Sequence, residues 1–98
     1  MATPVYKMFL ITPQPSYYAL SKDAQDKLLE EVNKLLEAVG GRRLVMCNST
    51  WSNEEWAFFG VEEFPDVEAV QRHSQLLAER GWPFQFAKSF SILGTKTT

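Results

Sequence analysis

His73 is the only histidine in the 98 residues, and histidine is the side chain whose ordinary titration falls near neutral pH. It closes the stretch Val61 to His73, which reads V-E-E-F-P-D-V-E-A-V-Q-R-H. A strand ends within that stretch, a Pro-Asp step turns the chain, and a helix begins. His73 then lies about two turns into the helix. At about 100° per residue it falls on the edge of the stripe Val67, Val70, Ser74 and Leu77, and so faces the interior rather than the charged side. A histidine there is a candidate general acid and base. The alternative is a half-buried imidazole hydrogen-bonded to backbone.

Lys7 is the second candidate. It stands in the strand V-Y-K-M-F-L-I-T, where a lysine is costly unless its ammonium reaches water or a partner. It can snorkel outward. Pointing inward, it would lose hydration, its pKa would fall, and it could orient or protonate a carbonyl. Phe9, Tyr17, Tyr18, Asn33, Phe59, Trp82 and Phe86 are the candidate substrate-binding residues. Asn48 and Cys47 are further polar candidates with ordinary structural explanations.

Several elements must position these groups. Val5 to Thr12 is a β-rich run between Pro4 and Pro13. Lys7, Phe9 and Ile11 share one of its faces; Tyr6, Met8 and Leu10 share the other. Residues 13–20, with two prolines, read as a loop. Ser21 is a helix N-cap, Asp23 suits the first turn, and Ala24, Leu28, Leu29, Val32, Leu35, Leu36 and Val39 repeat at helical spacing. Gly40-Gly41 ends that helix, expected over 22–39. Arg42 to Thr50 is a strand, Trp51 to Glu55 a polar turn, and Trp56 to Phe64 a strand antiparallel to it. Gly60 within the latter marks a bulge or a close approach. A second helix is expected over 66–80, ended by Gly81, then an apolar connector from Trp82 to Phe86 and a last strand over Ala87 to Leu93.

The order β-α-β-β-α-β is the ferredoxin-like arrangement, an α+β fold with both helices on one face of a four-stranded antiparallel sheet. One domain of 98 residues accommodates it, with its core over about 5–94. The other sheet face keeps Met8, Leu10 and their neighbours, too much apolar surface to leave in water. A face-to-face homodimer is the expected solution.

Composition narrows the chemistry. Ten basic and twelve acidic residues give a net charge of −2, which offers no electrostatic footing for nucleic acid. The adjacent pair Arg42-Arg43 reads as a solvated strand edge. One histidine and one cysteine, without clustered carboxylates, argue against a metal site. No glycine-rich phosphate or dinucleotide motif is present, so no cofactor is expected. The single cysteine suits a reducing compartment, and no apolar run is long enough for a membrane span. The expectation is a soluble cytoplasmic protein with no membrane or nucleic-acid partner. What remains is an aromatic-lined pocket between sheet and helices, able to take an apolar small molecule.

The element order over residues 5–94 resembles the dimeric α/β-barrel superfamily. The segment Val67-Glu68-Ala69-Val70-Gln71, following a strand that ends in Phe64, is similar to the V-E-x-[IV]-Q segment of its small polyketide cyclases. The stretch Pro15 to Ser21 is similar to a P-x-[WY]-x-x-L-S pattern in small barrel proteins of the group. The resemblance implies that Lys7 and His73 occupy catalytic and pocket positions and that Asn33 occupies a further pocket position. It also implies a homodimeric, cofactor-free enzyme acting on an aromatic or polyketide-like substrate. His73 would shuttle a proton for a cyclisation, isomerisation or elimination of the lyase type. Two alternatives stand beside it: a cofactor-free monooxygenase of phenolic polyketides, and a non-catalytic ligand-binding or stress-responsive barrel protein.

Overall fold

The computed structural model describes residues 3–82 and 85–97. Strand β1 is Val5–Pro13, helix α1 Pro15–Tyr18, helix α2 Lys22–Ala38, strand β2 Arg42–Asn48, strand β3 Phe58–Phe64, helix α3 Val67–Glu79 and strand β4 Ala87–Gly94. The four strands form one antiparallel sheet in the order β2-β3-β1-β4. This is the expected ferredoxin-like α+β fold. Pro83 and Phe84, in the expected connector, lie outside the described residues.

The helices form where the sequence supplies their caps. Ser21 Oγ accepts from the Ala24 amide at 3.1 Å, and an Asp66 carboxylate oxygen accepts from the Ala69 amide at 2.8 Å. Each bond satisfies an amide that the first helical turn leaves open. Gly81, at φ 81°, turns the chain out of α3 in the left-handed region that favours glycine.

Both long helices cover the same sheet face. Leu28 and Val32 of α2 and Leu77 of α3 pack with Phe9, Ile11, Tyr17, Trp82 and Ala87. Leu36 of α2 and Ala69 and Val70 of α3 pack with Val5 and Phe64 in a second cluster nearer the other end of β1. Strand pairing fixes what faces the helices. Arg43, Glu62, Lys7 and Leu93 form one inward row, and Met46, Gly60, Phe9 and Ser91 the next. A register shift in β2 between Arg43 and Val45 sets the offset between those rows.

Gly60 is the close-approach glycine of the two readings open in the sequence. A Cβ there would meet the Val45 carbonyl oxygen at 2.5 Å and the Phe9 ring at 2.7 Å. The irregularity lies on the facing strand instead.

Several details differ from expectation. Residues 15–18 are a short helix, because Pro15 pre-sets the helical φ at its first position and the amides of Tyr17 and Tyr18 bond back to Gln14 O. Strand β2 stops at Asn48 and β3 starts at Phe58. There Asn48 and Asn53 side chains capture nearby amides, those of Thr50, Glu55 and Trp56, and curl the chain away from the ladder. Helix α3 is also rotated from the stripe expected of it. Its buried residues are Ala69, Val70, His73 and Leu77, whereas Val67 and Ser74 are exposed. Ala69 and Val70 pack with Val5 and Phe64, and Val67 stands outside that cluster in the first turn.

Candidate functional site

A cavity of about 740 Å³ lies between the inner sheet face and the helices. That volume is within the range of small-molecule sites. Strand β1 contributes Lys7, Phe9 and Ile11, β2 contributes Arg43, β3 contributes Phe58 and Glu62, and α3 contributes His73 and Leu77.

Helix α3 carries His73 inward beside Val70 and Leu77, so that only 3% of the residue is exposed. Its ring lies 5.2 Å from the Phe64 ring, tilted by 50°. The Nδ1 atom is buried and has no hydrogen-bond partner, the one such side-chain nitrogen or oxygen among the described residues. Buried polar atoms are nearly always partnered, so this orphan argues against the structural reading of a backbone-satisfied imidazole. Burial, then the positive charges of Lys7 and Arg43, hold its pKa down to about 4. The imidazole is therefore neutral at pH 7.

Lys7 lies on the inner face as its alternation required, and it lines the cavity. Burial lowers its pKa, and the Glu62 charge opposes that fall. No ion pair within 4.0 Å is formed by its ammonium among the described residues.

The cavity's remaining charges were missed by the sequence reading. Glu62 is 4% exposed. Its Oε2 accepts from the Arg43 guanidinium at 3.0 Å, and the same guanidinium donates to Asn33 Oδ1 at 2.9 Å. The expectation of a solvated arginine pair therefore holds for Arg42, which points outward to Glu63, and only in part for Arg43, an exposed residue whose guanidinium turns to Glu62 and lines the cavity. Successive strand residues face opposite ways, so the pair is split between the two faces. A signal was present. Glu62-Glu63 on β3 is the acidic counterpart of Arg42-Arg43 on β2, crossed in register.

The structure gathers most of the expected binding residues. Phe9, Tyr17, Tyr18, Asn33 and Trp82 line the cavity together with His73 and Lys7. Tyr17 sits edge-on to both Tyr18 and Trp82, at 5.4 and 5.8 Å between ring centres. Two expected residues are elsewhere. Phe59 lies on the outer sheet face, paired with Leu10 and Cys47, and its neighbour Phe58 takes the inward place. Phe86 packs against the core cluster and does not line the cavity. Asn48 and Cys47 are not among the lining residues either. No group of three or more His, Cys, Asp and Glu side chains is placed to hold a metal ion among the described residues.

No family model matches the chain, and no curated protein does. Solved structures do. The chain is similar to a protein of unknown function from Rhodopseudomonas palustris, at TM-score 0.65 and 17% identity over 100% of this chain and 85% of that one. It is similar to a Dabb-family protein with a ferredoxin-like fold from Mesorhizobium loti, at TM-score 0.63 and 16% identity over 97% and 98%. A hypothetical protein of Arabidopsis thaliana matches at TM-score 0.58 and 14% identity over 98% and 90%. At these identities the likeness establishes the ferredoxin-like fold and leaves activity open.

Proposed function

We propose that this chain is a cofactor-independent enzyme that performs acid–base chemistry on an apolar, aromatic or polyketide-like small molecule held in the cavity. The observation that carries the reading is the buried His73 imidazole, unpartnered at Nδ1, in a cavity that it shares with Lys7 and with aromatic and aliphatic walls. Perturbed titratable groups in a cleft are where catalytic function concentrates.

In this reading His73 takes a proton from a carbon next to a carbonyl. The bonding electrons move onto the carbonyl oxygen, and the Lys7 ammonium holds the resulting enolate. The proton returns from His73 at the next carbon or to a leaving group, giving an isomerisation, cyclisation or elimination. The low basicity of His73 in the free chain comes partly from the cations Lys7 and Arg43. Negative charge growing on the substrate oxygen offsets those cations, so the imidazole becomes a better base as the proton moves. The aromatic walls supply enclosure and orientation.

The same reading includes a homodimer, formed through the outer sheet face, where Met8, Val45, Phe59, Phe90 and Ile92 are exposed. A cytoplasmic location accords with the single free cysteine.

A suitable test is hydrogen–deuterium exchange into the acidic carbon of a simple benzo-fused ketone, 2-tetralone, followed by NMR. The chain should accelerate exchange, and His73→Gln should slow it by about 10²-fold. Equal rates for the two proteins would remove His73 from the chemistry.

A further inference from the structure

The charged groups of the cavity do not balance, and the imbalance defines the ligand. Among the described residues, Lys7, Arg43, Glu62 and His73 are its only ionisable side chains other than tyrosine. His73 is neutral at pH 7, so two cations face one carboxylate. That carboxylate is already engaged: Glu62 binds Arg43 directly at 3.0 Å, and Asn33 fixes the same guanidinium from the helix side. Lys7 stands next to Glu62 in the inward row, yet its ammonium has no ion-pair partner among the described residues. A half-buried ammonium without a direct partner is expensive.

We propose that the cavity binds a monoanion, an aromatic or alicyclic body carrying one carboxylate or equivalent oxyanion, with the anion seated between the Lys7 ammonium and the Arg43 guanidinium. This rests on reading the cavity as a small-molecule site, and it is independent of whether His73 turns the ligand over. Lys7 has three N–H donors, and Arg43 has five, of which Glu62 and Asn33 engage two. Both cations therefore retain donors for an incoming oxyanion. The rest of the enclosure is neutral. Phe9, Ile11, Phe58, Leu77 and Trp82 form a wall for the ligand body, and about 740 Å³ accommodates two or three fused rings. Glu62 acts as a selectivity element: it cancels one cation, which leaves room for one negative charge and disfavours two.

The probe is a matched pair, 2-naphthoate and its neutral methyl ester, titrated calorimetrically at pH 7.5. The wild-type chain should bind the carboxylate roughly tenfold or more tightly than the ester. Lys7→Met, which keeps the length of the side chain and removes its charge, should abolish that preference while leaving ester affinity within about twofold. Lys7→Arg should restore it, which also shows that the strand tolerates substitution there. Equal affinity for acid and ester in the wild type, binding of neither, or a preference that survives in Lys7→Met would each overturn the proposal. A His73→Gln chain that keeps the carboxylate preference but loses 2-tetralone exchange supports it. A wild-type chain that prefers the carboxylate yet gives no exchange supports it too, and would remove the catalytic reading alone.

Discussion

At the scale of the residue, the site is a contest between hydration and charge. His73 gives up its hydration inside the fold and receives no hydrogen bond at Nδ1 in exchange. The groups facing it are the Phe64 ring from β3, Lys7 from β1 and Arg43 from β2, one apolar and two positive. Burial and the two positive charges favour the uncharged imidazole, so an acid–base group is held in its proton-accepting form. The candidates His73 and Lys7 were legible because rarity and position mark them: one histidine, and one lysine in an apolar strand. Arg43 and Glu62 were not legible, because adjacent arginines look alike in a sequence and only strand pairing tells which one turns inward. The same blindness exchanged Phe59 for Phe58. Two consecutive phenylalanines must face opposite ways, and nothing local says which. The inward parity of Gly60 and Glu62 decides it.

At the scale of the element, strands and helices carry these residues to one place through two devices. The first is the capping of α3 by Asp66, which fixes the helix start and hence the inward turn of His73. The helix starts and the antiparallel pairing of β2 with β3 were readable from local sequence, whereas the buried face of α3 was not, since Val67 and Ser74 of the expected stripe are exposed. The second is the close packing of Phe9 over Gly60, which was only partly readable. A lone glycine in a strand announces an approach without saying of what. A methyl group at Gly60 would meet both the Val45 carbonyl and the Phe9 ring at less than contact distance. The carbonyl is backbone, so that contact is relieved only by a shift of the strands, while the second contact displaces the Phe9 ring. Gly60→Ala is expected to lower stability by about 1–3 kcal/mol in urea denaturation. An unchanged midpoint would show that the sheet absorbs the methyl group and that Phe9 is not held in this way. The hairpin loop over 49–57 shows the limit of sequence periodicity. Its backbone bonds to Asn48 and Asn53 side chains cut short strands that the residue pattern alone would prolong.

At the scale of the whole molecule, one sheet has two faces with different fates. The inner face is covered by helices and holds the cavity. The outer face carries a polar end, where Tyr6 and Arg42 bind Glu63, and an apolar remainder that includes Phe59, exposed to 40%. An apolar sheet face of that kind is stable in water when covered. The predicted cover is a second copy of the chain. Sedimentation at micromolar concentration should give twice the chain mass, and Phe59→Glu should return the mass of one chain with the fold intact. A monomeric wild type would contradict the homodimer and leave the cavity, which lies on the other face, untouched. The topology was legible as a whole because element order in a short chain admits few arrangements. The sheet's charge pattern was not, since it is a property of pairing between segments far apart in sequence.

The candidate site depends on a neutral, desolvated His73 imidazole in the cavity. Because the chain has one histidine, its ring gives one set of NMR signals, and their shift with pH reads that group alone. The predicted result is an imidazole that stays neutral from pH 7 down through pH 5 and takes its proton at about 4. A midpoint near the ordinary histidine value of about 6.5 would place the ring in water and contradict the site described.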